Sequence, residues 1–299
     1  VEANVFKNAG LGTVPTTGTS VIGVTGDGAG AGEWTIGTRV INNDFYGRNA
    51  SLDNDKVTVN SHTRDTLFEN NRFYNFKGDD ATLEIIDPGT NTGVKIRNNT
   101  FRDGGALTHY VITVRCADAV IEGNEILSDI AGTRGIFDGA GTGGFRIINN
   151  TINVPYRALA LAGNHLVRGN SLRSSGSDTV IICGSNNRFY ENTIDDTSGG
   201  GSFGMWIQGN QNEIKDNRIL ASVTGAGMHI LCNTTDNRIE GNWLNHIDNA
   251  ETLRLQSSSR RNLVRNNTVV RPDNTISITD QDATLSNKVD TNHTLAVLV

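Results

Sequence analysis

One phrase of four residues, with Asn in second place and an apolar residue in fourth, recurs ten times along the chain and limits what it can fold into. The copies run from Asn42-Asn43-Asp44-Phe45 and Asn70-Asn71-Arg72-Phe73 to Gly241-Asn242-Trp243-Leu244 and Asn266-Asn267-Thr268-Val269. The second Asn of each copy follows the last at spacings of 28, 28, 25, 26, 20, 22, 25, 25 and 25 residues. Self-similarity at such a period marks a stacked repeat. Each unit carries three short apolar/polar alternations, as in Asn237-Arg238-Ile239-Glu240, Trp243-Leu244 and Glu251-Thr252-Leu253-Arg254-Leu255-Gln256. Alternation with period two is the mark of a half-buried strand. A coil of three strands cannot bury its inner face alone, so successive coils stack with like strands in parallel, about 4.8 Å apart. Composition agrees: 36 Asn and 34 Gly in 299 residues disfavour helix and favour left-handed turns. The Asn of the turn is expected to take a left-handed angle and to form a ladder with its counterparts above and below.

These ten phrases and three-strand coils resemble the right-handed parallel β-helix of the pectin-lyase-like superfamily, which includes polysaccharide lyases, epimerases and phage tailspike depolymerases. The expected fold is therefore all-β, a single-stranded right-handed parallel β-helix solenoid of about ten coils of three short strands. The resemblance covers residues 36–290, leaving 1–35 as an irregular Gly-rich segment with the first coil and 291–299 as a tail. Members often carry an N-terminal helical cap. Here no such helix is legible, and Gly26-Asp27-Gly28 lies in a Gly-rich loop without a dinucleotide-binding context. The start, Val1-Glu2-Ala3-Asn4, is neither an initiator Met nor a signal peptide, and reads as an excised or mature piece.

A net charge of −6 argues against a general nucleic-acid binder, and no run of 18 apolar residues supports membrane insertion. Cys116, Cys183 and Cys232 are too scattered for a disulfide framework or a zinc site. No cofactor is called for, apart from a weak Ca²⁺ candidate at Asp79-Asp80.

The resemblance places the substrate groove along the third, longer strand of each coil. Aligned by apolar residues taken as inward, one outward row reads Glu84, Thr113, Ile136, Ala160, Ile181, Trp206, His229, Arg254, Ser277. Its neighbour reads Ile86, Arg115, Asp138, Ala162, Cys183, Gln208, Leu231, Gln256, Thr279, with Phe137 inward. Two polar clusters stand out. In the first, Trp206 offers a stacking face for a sugar, Arg254 neutralises a uronate carboxylate and His229 serves as base or acid. Gln208 and the loop residues Asp195, Asp196, Asp248 and Glu251 surround it. The second joins Glu84, Arg115 and Asp138, with Asp79, Asp80, Asp87, His109, Arg134 and Arg157 nearby. Two coils separate Glu84 from Asp138, roughly 10 Å, near the upper limit for an inverting glycosidase pair.

Three functions are consistent with these rows: a polysaccharide lyase acting by β-elimination on an acidic glycan, a tailspike-type glycoside hydrolase, and a non-catalytic spike or adhesin. The lyase is preferred, because Arg and His side by side suit charge neutralisation and proton abstraction. The resemblance implies a polysaccharide partner, an extracellular site on a secreted or virion-surface protein, and a homotrimer by analogy with tailspikes.

Overall fold

The computed structural model describes residues 2, 4–7, 20–24, 35–47, 56–59, 62–76, 81–85, 91–103, 110–139, 143–198, 202–223, 228–248, 251–273, 275–281 and 286–296. They form an all-β parallel solenoid of about nine turns, with three long sheets, one short two-stranded pairing (Thr35–Ile36 with Thr63–Arg64) and no helix among the described residues. The chain divides into two compact units, Val1–Pro155 and Tyr156–Val299.

Each unit repeats one coil: a pre-turn strand, the Asn phrase, a post-turn strand, a corner and a third strand. In unit 1 the coil Lys95–Arg97, Thr100–Arg102, Tyr110–Val114 pairs in parallel with Val120–Glu122, Glu125–Leu127 and Arg134–Asp138. In unit 2, Glu213–Lys215, Arg218–Ala221 and Ile230–Cys232 pair with Arg238–Glu240, Trp243–His246 and Leu253–Leu255. Paired strands also lie beyond 36–290. Val5–Lys7 pairs with Asp44–Tyr46, Ser20–Val24 with Lys56–Val59, and His293–Ala296 with Thr268–Arg271.

The fourth residue of every phrase points inward. In unit 1, Phe45, Phe73 and Phe101 stack at 4.8 and 4.6 Å between centroids. In unit 2, Leu172, Ile194, Ile219, Leu244 and Val269 form the same column and are fully buried. Each such side chain contributes roughly 1.5–3 kcal/mol by leaving water.

The turn differs from expectation in one respect. The left-handed residue is the first of the phrase: Asn42, Asn70, Asn98 and Asn149 have φ between 53° and 57°, and Gly123, Gly169 and Gly241 between 65° and 67°. Glu191 and Asp216 occupy the same place at 57° and 56°. The second Asn makes the ladder. Asn71 N–H donates to Asn99 Oδ1 at 2.9 Å, and the bond repeats from Asn99 to Asn124 and from Asn124 to Asn150. In unit 2 the ladder runs Asn170, Asn192, Asn217, Asn242, Asn267, Asn292. One residue turns the chain, and the next bonds to the coil above.

Unit 2 carries a second ladder that the phrase does not announce. His165 N–H donates to Asn187 Oδ1, and the pattern continues through Asn212, Asn237, Asn262 and Asn287. It lines the corner between the third and pre-turn strands, so two of the three corners of these coils are held by buried amides.

Candidate functional site

Three of the third strands of unit 2 begin with a bulge, and the bulge bears on which side chains face out. Thr179 O accepts from both Ala158 N–H and Leu159 N–H, Thr252 O from His229 and Ile230, and Ser277 O from Thr252 and Leu253. Two residues of one strand thus share one acceptor of the next, which re-aims the side chain at the bulge. The column Ala158, Thr179, Gly204, His229, Thr252, one place before the paired strands and bulged at Ala158, His229 and Thr252, is buried.

His229 is therefore not in the groove. It is 1% exposed, and Ile230 pairs with Met205, Leu231 with Trp206 and Cys232 with Ile207. Its Nε2–H donates to Asn245 O at 2.8 Å, and its ring meets His246 edge-on at 5.1 Å. Burial pushes its pKa down to about 3, so at neutral pH it is an uncharged interior group. Strict alternation had given Met228 and Ile230 the inward places and His229 the outward one; the bulge turns His229 inward beside Ile230, and Leu231 takes the place in the outward row next to Trp206.

The outward row of the sheet in unit 2 reads Ala160, Ile181, Trp206, Leu231, Arg254, Thr279. It is a mostly apolar floor in which Ala160, Ile181 and Leu231 are buried, Trp206 and the cation Arg254 half-exposed, and Thr279 comes last. Arg254 is fixed by Glu251, with Nε donating to Oε2 at 2.8 Å and Nη2 donating to the same oxygen. Along one flank, Cys183, Gln208, Asn233, Gln256 and Gln281 each donate a backbone N–H to the preceding coil and so fall in register. Their side chains are half-exposed or exposed, and Cys183 Sγ lies 3.4 Å from Gln208 Oε1. Along the other flank, Arg157, Asp178, Phe203, Met228 and Glu251 precede that buried column. Asp178 accepts from Phe203 N–H at 2.9 Å and lies 3.7 Å from Arg157 Nη2. Burial raises the Asp178 carboxyl pKa, against the lowering effects of the Phe203 N–H and Arg157. Phe203 packs edge-on against Trp206 at 5.9 Å.

The structure thus brings together Trp206, Gln208, Glu251 and Arg254 and removes His229. Three loop acids also point elsewhere. Asp196 is buried against Ser198 and Ser202, Asp195 pairs with Arg173 at 3.7 Å, and Asp248 pairs with His246 at 2.8 Å. Asp178 was not singled out from the sequence, because only the stacking of Arg157, Asp178 and Phe203 on successive coils gives it neighbours.

In unit 1 the expected carboxylate pair does not form. Glu84, Thr113 and Phe137 share the outward row, while Ile85, Val114 and Asp138 share the buried one. Asp138 is 4% exposed on the opposite side of the sheet from Glu84. Phe137, expected inward, faces out and stacks on Tyr110 at 4.8 Å, with the Arg134 guanidinium 5.5 Å from the Tyr110 ring. That stack is the physical reason for the inversion, since it gives Phe137 an aromatic partner outside and leaves Ile136 in the core. Arg115 lies across Gly139 and reaches Glu84 at 3.6 Å. Ile86, Asp79, Asp80, Asp87, His109 and the Gly26-Asp27-Gly28 segment lie outside the described residues, and with them the Ca²⁺ candidate.

Comparison with known proteins is in line with the coil geometry. No curated protein sequence matches. The A-module of the Azotobacter vinelandii mannuronan C-5 epimerase AlgE6 is similar in structure, with a TM-score of 0.59 at 15% identity over 92% of this chain and 88% of that one. A periplasmic alginate epimerase, AlgG, matches with a TM-score of 0.50 at 11% identity over 87% of this chain and 70% of that one. At these identities the likeness is one of fold. The family model for the right-handed β-helix region matches residues 134–293, more than half of the chain. By its ladders, its three parallel sheets and this match, the chain belongs to the right-handed β-helix family.

Proposed function

We propose that the chain degrades an acidic polysaccharide as a lyase, by β-elimination, with the glycan lying along the outward face of the third sheet of unit 2. The observation that carries the reading is the make-up of that face. An apolar floor with an indole, a row of amides and a fixed guanidinium are the groups that hold a sugar ring, its hydroxyls and its carboxylate. Coils repeat about every 4.8 Å, close to the length of one pyranose, so each coil meets about one sugar. The structurally similar proteins are named as epimerases of mannuronan and alginate, which supports a uronate polymer as substrate.

In this reading Asp178 takes the proton from the carbon beside the uronate carboxylate. Arg157, beside it, offsets the negative charge that then builds on that carboxylate. The electron pair left on carbon forms a double bond, the glycosidic C–O bond at the β position breaks, and the departing oxygen takes up a proton. Burial favours this role, since the raised pKa of Asp178 makes it a better proton acceptor than an ordinary Asp. Arg254 sits about three coils away, roughly 14 Å, and grips the carboxylate of another sugar. The protein then works where such polymers occur, outside the cytoplasm.

The test is incubation with polymannuronate, polyguluronate, polygalacturonate and a neutral glucan, following ultraviolet absorbance of unsaturated product and new reducing ends. Absorbance rising with reducing ends on a uronate polymer, and lost in Asp178→Asn, is the expected result. Reducing ends without absorbance would mean hydrolysis. Deuterium uptake from solvent without cleavage would mean epimerisation, and no turnover of any polymer would mean a binding protein.

A further inference from the structure

The residue after the ladder Asn points outward from the post-turn sheet, and in nine of ten coils it is polar: Asp44, Arg72, Thr100, Glu125, Thr151, Ser171, Thr193, Arg218 and Thr268. The exception is Trp243, 39% exposed. Elsewhere on this sheet charges meet their opposites in the neighbouring coil. Arg72 donates to both oxygens of Asp44 at 2.6 and 2.7 Å, and Arg102 reaches Glu125 at 3.0 Å. Arg218 is different. Its partner in register is Trp243, and its guanidinium makes no ion pair among the described residues. On the other side of the indole lies Thr268, and beyond it His293.

We infer that Trp243 and Arg218 form a second carbohydrate-binding site, separate from the third-sheet face, for a uronate residue of an anionic polysaccharide. An exposed indole presents an aromatic surface to the C–H side of a pyranose, and an unpaired guanidinium one coil away, about 4.8 Å along the sheet, meets the sugar's carboxylate. The half-exposed Thr268 and the exposed His293 extend the polar border in the same direction. The choice of a uronate rests on the acidic-polysaccharide reading above. The choice of a sugar rests on the indole and the free cation together. A site here retains long chains on the surface and leaves the bond-breaking groups untouched.

Titration of wild type, Trp243→Ala, Arg218→Gln and Trp206→Ala with polymannuronate, by calorimetry, tests the site. Turnover of a short oligomannuronate is measured in parallel. Trp243→Ala and Arg218→Gln should each weaken polymer binding about fivefold and leave turnover of the short substrate unchanged. Both side chains are exposed, and matching thermal melts establish that the variants fold. Trp206→Ala should lower turnover and keep the Trp243-dependent binding. If no uronate is turned over but Trp243→Ala still weakens binding, the lyase reading falls and this site stands. Unchanged polymer affinity in both Trp243→Ala and Arg218→Gln overturns the site. So does a neutral glucan bound equally well and equally dependent on Trp243.

Discussion

Asn217 donates from its backbone N–H and from its side-chain amide to one atom, Asn242 Oδ1, at 3.0 Å in both cases. Asn242 in turn donates to Ile214 O at 2.8 Å and to Asn267 Oδ1 at 2.9 Å. All of this is buried, where an unmet polar group costs about 1–3 kcal/mol. Asn242→Ala should therefore cost about 2–4 kcal/mol in urea unfolding, since it strands donors on Asn217 and acceptors on two neighbours. A loss below about 0.5 kcal/mol would show that the ladder adds little beyond the strand pairing.

His229 makes a prediction in pH. Its pKa lies at about 3 in the folded chain, below the ordinary 6.5, so the unfolded chain binds the proton more readily. The contribution to stability is fully present above about pH 6.5 and is lost as pH falls toward 3. At pH 5 the loss amounts to about 2 kcal/mol relative to pH 8. The raised carboxyls of Asp178 and Asp196 act in the opposite sense, so the measurement is a difference. Melts of wild type and His229→Gln between pH 8 and 5 should converge as the pH drops. Parallel curves would show that His229 does not titrate as an interior group.

The corners after the third strands stack backbone on backbone. A Cβ on Gly209 would fall inside the van der Waals surface of the Gly184 carbonyl, and a Cβ on Gly184 inside that of Ala162. These contacts are to main chain, which cannot swing away. Gly209→Ala should destabilise unit 2 by about 2 kcal/mol or more, read as faster amide exchange through Asn187 and Asn212. Gly37→Ala is the contrast, strained by its φ of +71° but facing nothing within 4 Å.

Cys183 offers a label for the groove. Its thiol is exposed in the amide row, yet its partial burial raises its pKa, so alkylation at pH 7 should be slow and should quicken above pH 9. Bound polyuronate should slow it further by at least several-fold, since the chain would lie over Gln208 beside it. Equal rates with and without polymer would place the glycan elsewhere. Cys116 and Cys232, both buried, should stay unmodified until the chain unfolds.

Arg254→Ala should reduce turnover of a long uronate polymer by about tenfold through its loss as a carboxylate anchor. Asp178→Asn should reduce it about a hundredfold or more through loss of the proton acceptor. A steady-state comparison that found the order reversed would move the reacting sugar to Arg254.

The coil repeat was legible because one turn needs two special residues in sequence, and the chain repeats that demand ten times. What alternation alone could not give was the side of a strand once a bulge intervenes. A bulge leaves no residue signature at Ala158, His229 or Thr252, so counting by twos from Ile230 put His229 outside. Phe137 and Asp138 were inverted for a different reason: both Ile136 and Phe137 are apolar, and only the ring of Tyr110 on the previous coil decides between them. The second ladder was within reach. Asn187, Asn212, Asn237, Asn262 and Asn287 each stand five places before a ladder Asn, but they were absorbed into strand patterns. Asp178 is the opposite case, an acid without a motif whose meaning comes only from the coil on either side.

The two ladders also bear on how such a chain changes its length. Every coil from Asn187 to Asn287 offers the next the same amides at the same corners, and it returns to its starting point after 25 residues. A duplication or deletion of 25 residues in this stretch would meet a neighbour that fits, with Asn217 closing on Asn267 as readily as on Asn242. On the proposed function, the floor of that face would grow or shrink by one sugar at a stroke, so its reach along a polymer is a quantity that copying errors can set in whole steps.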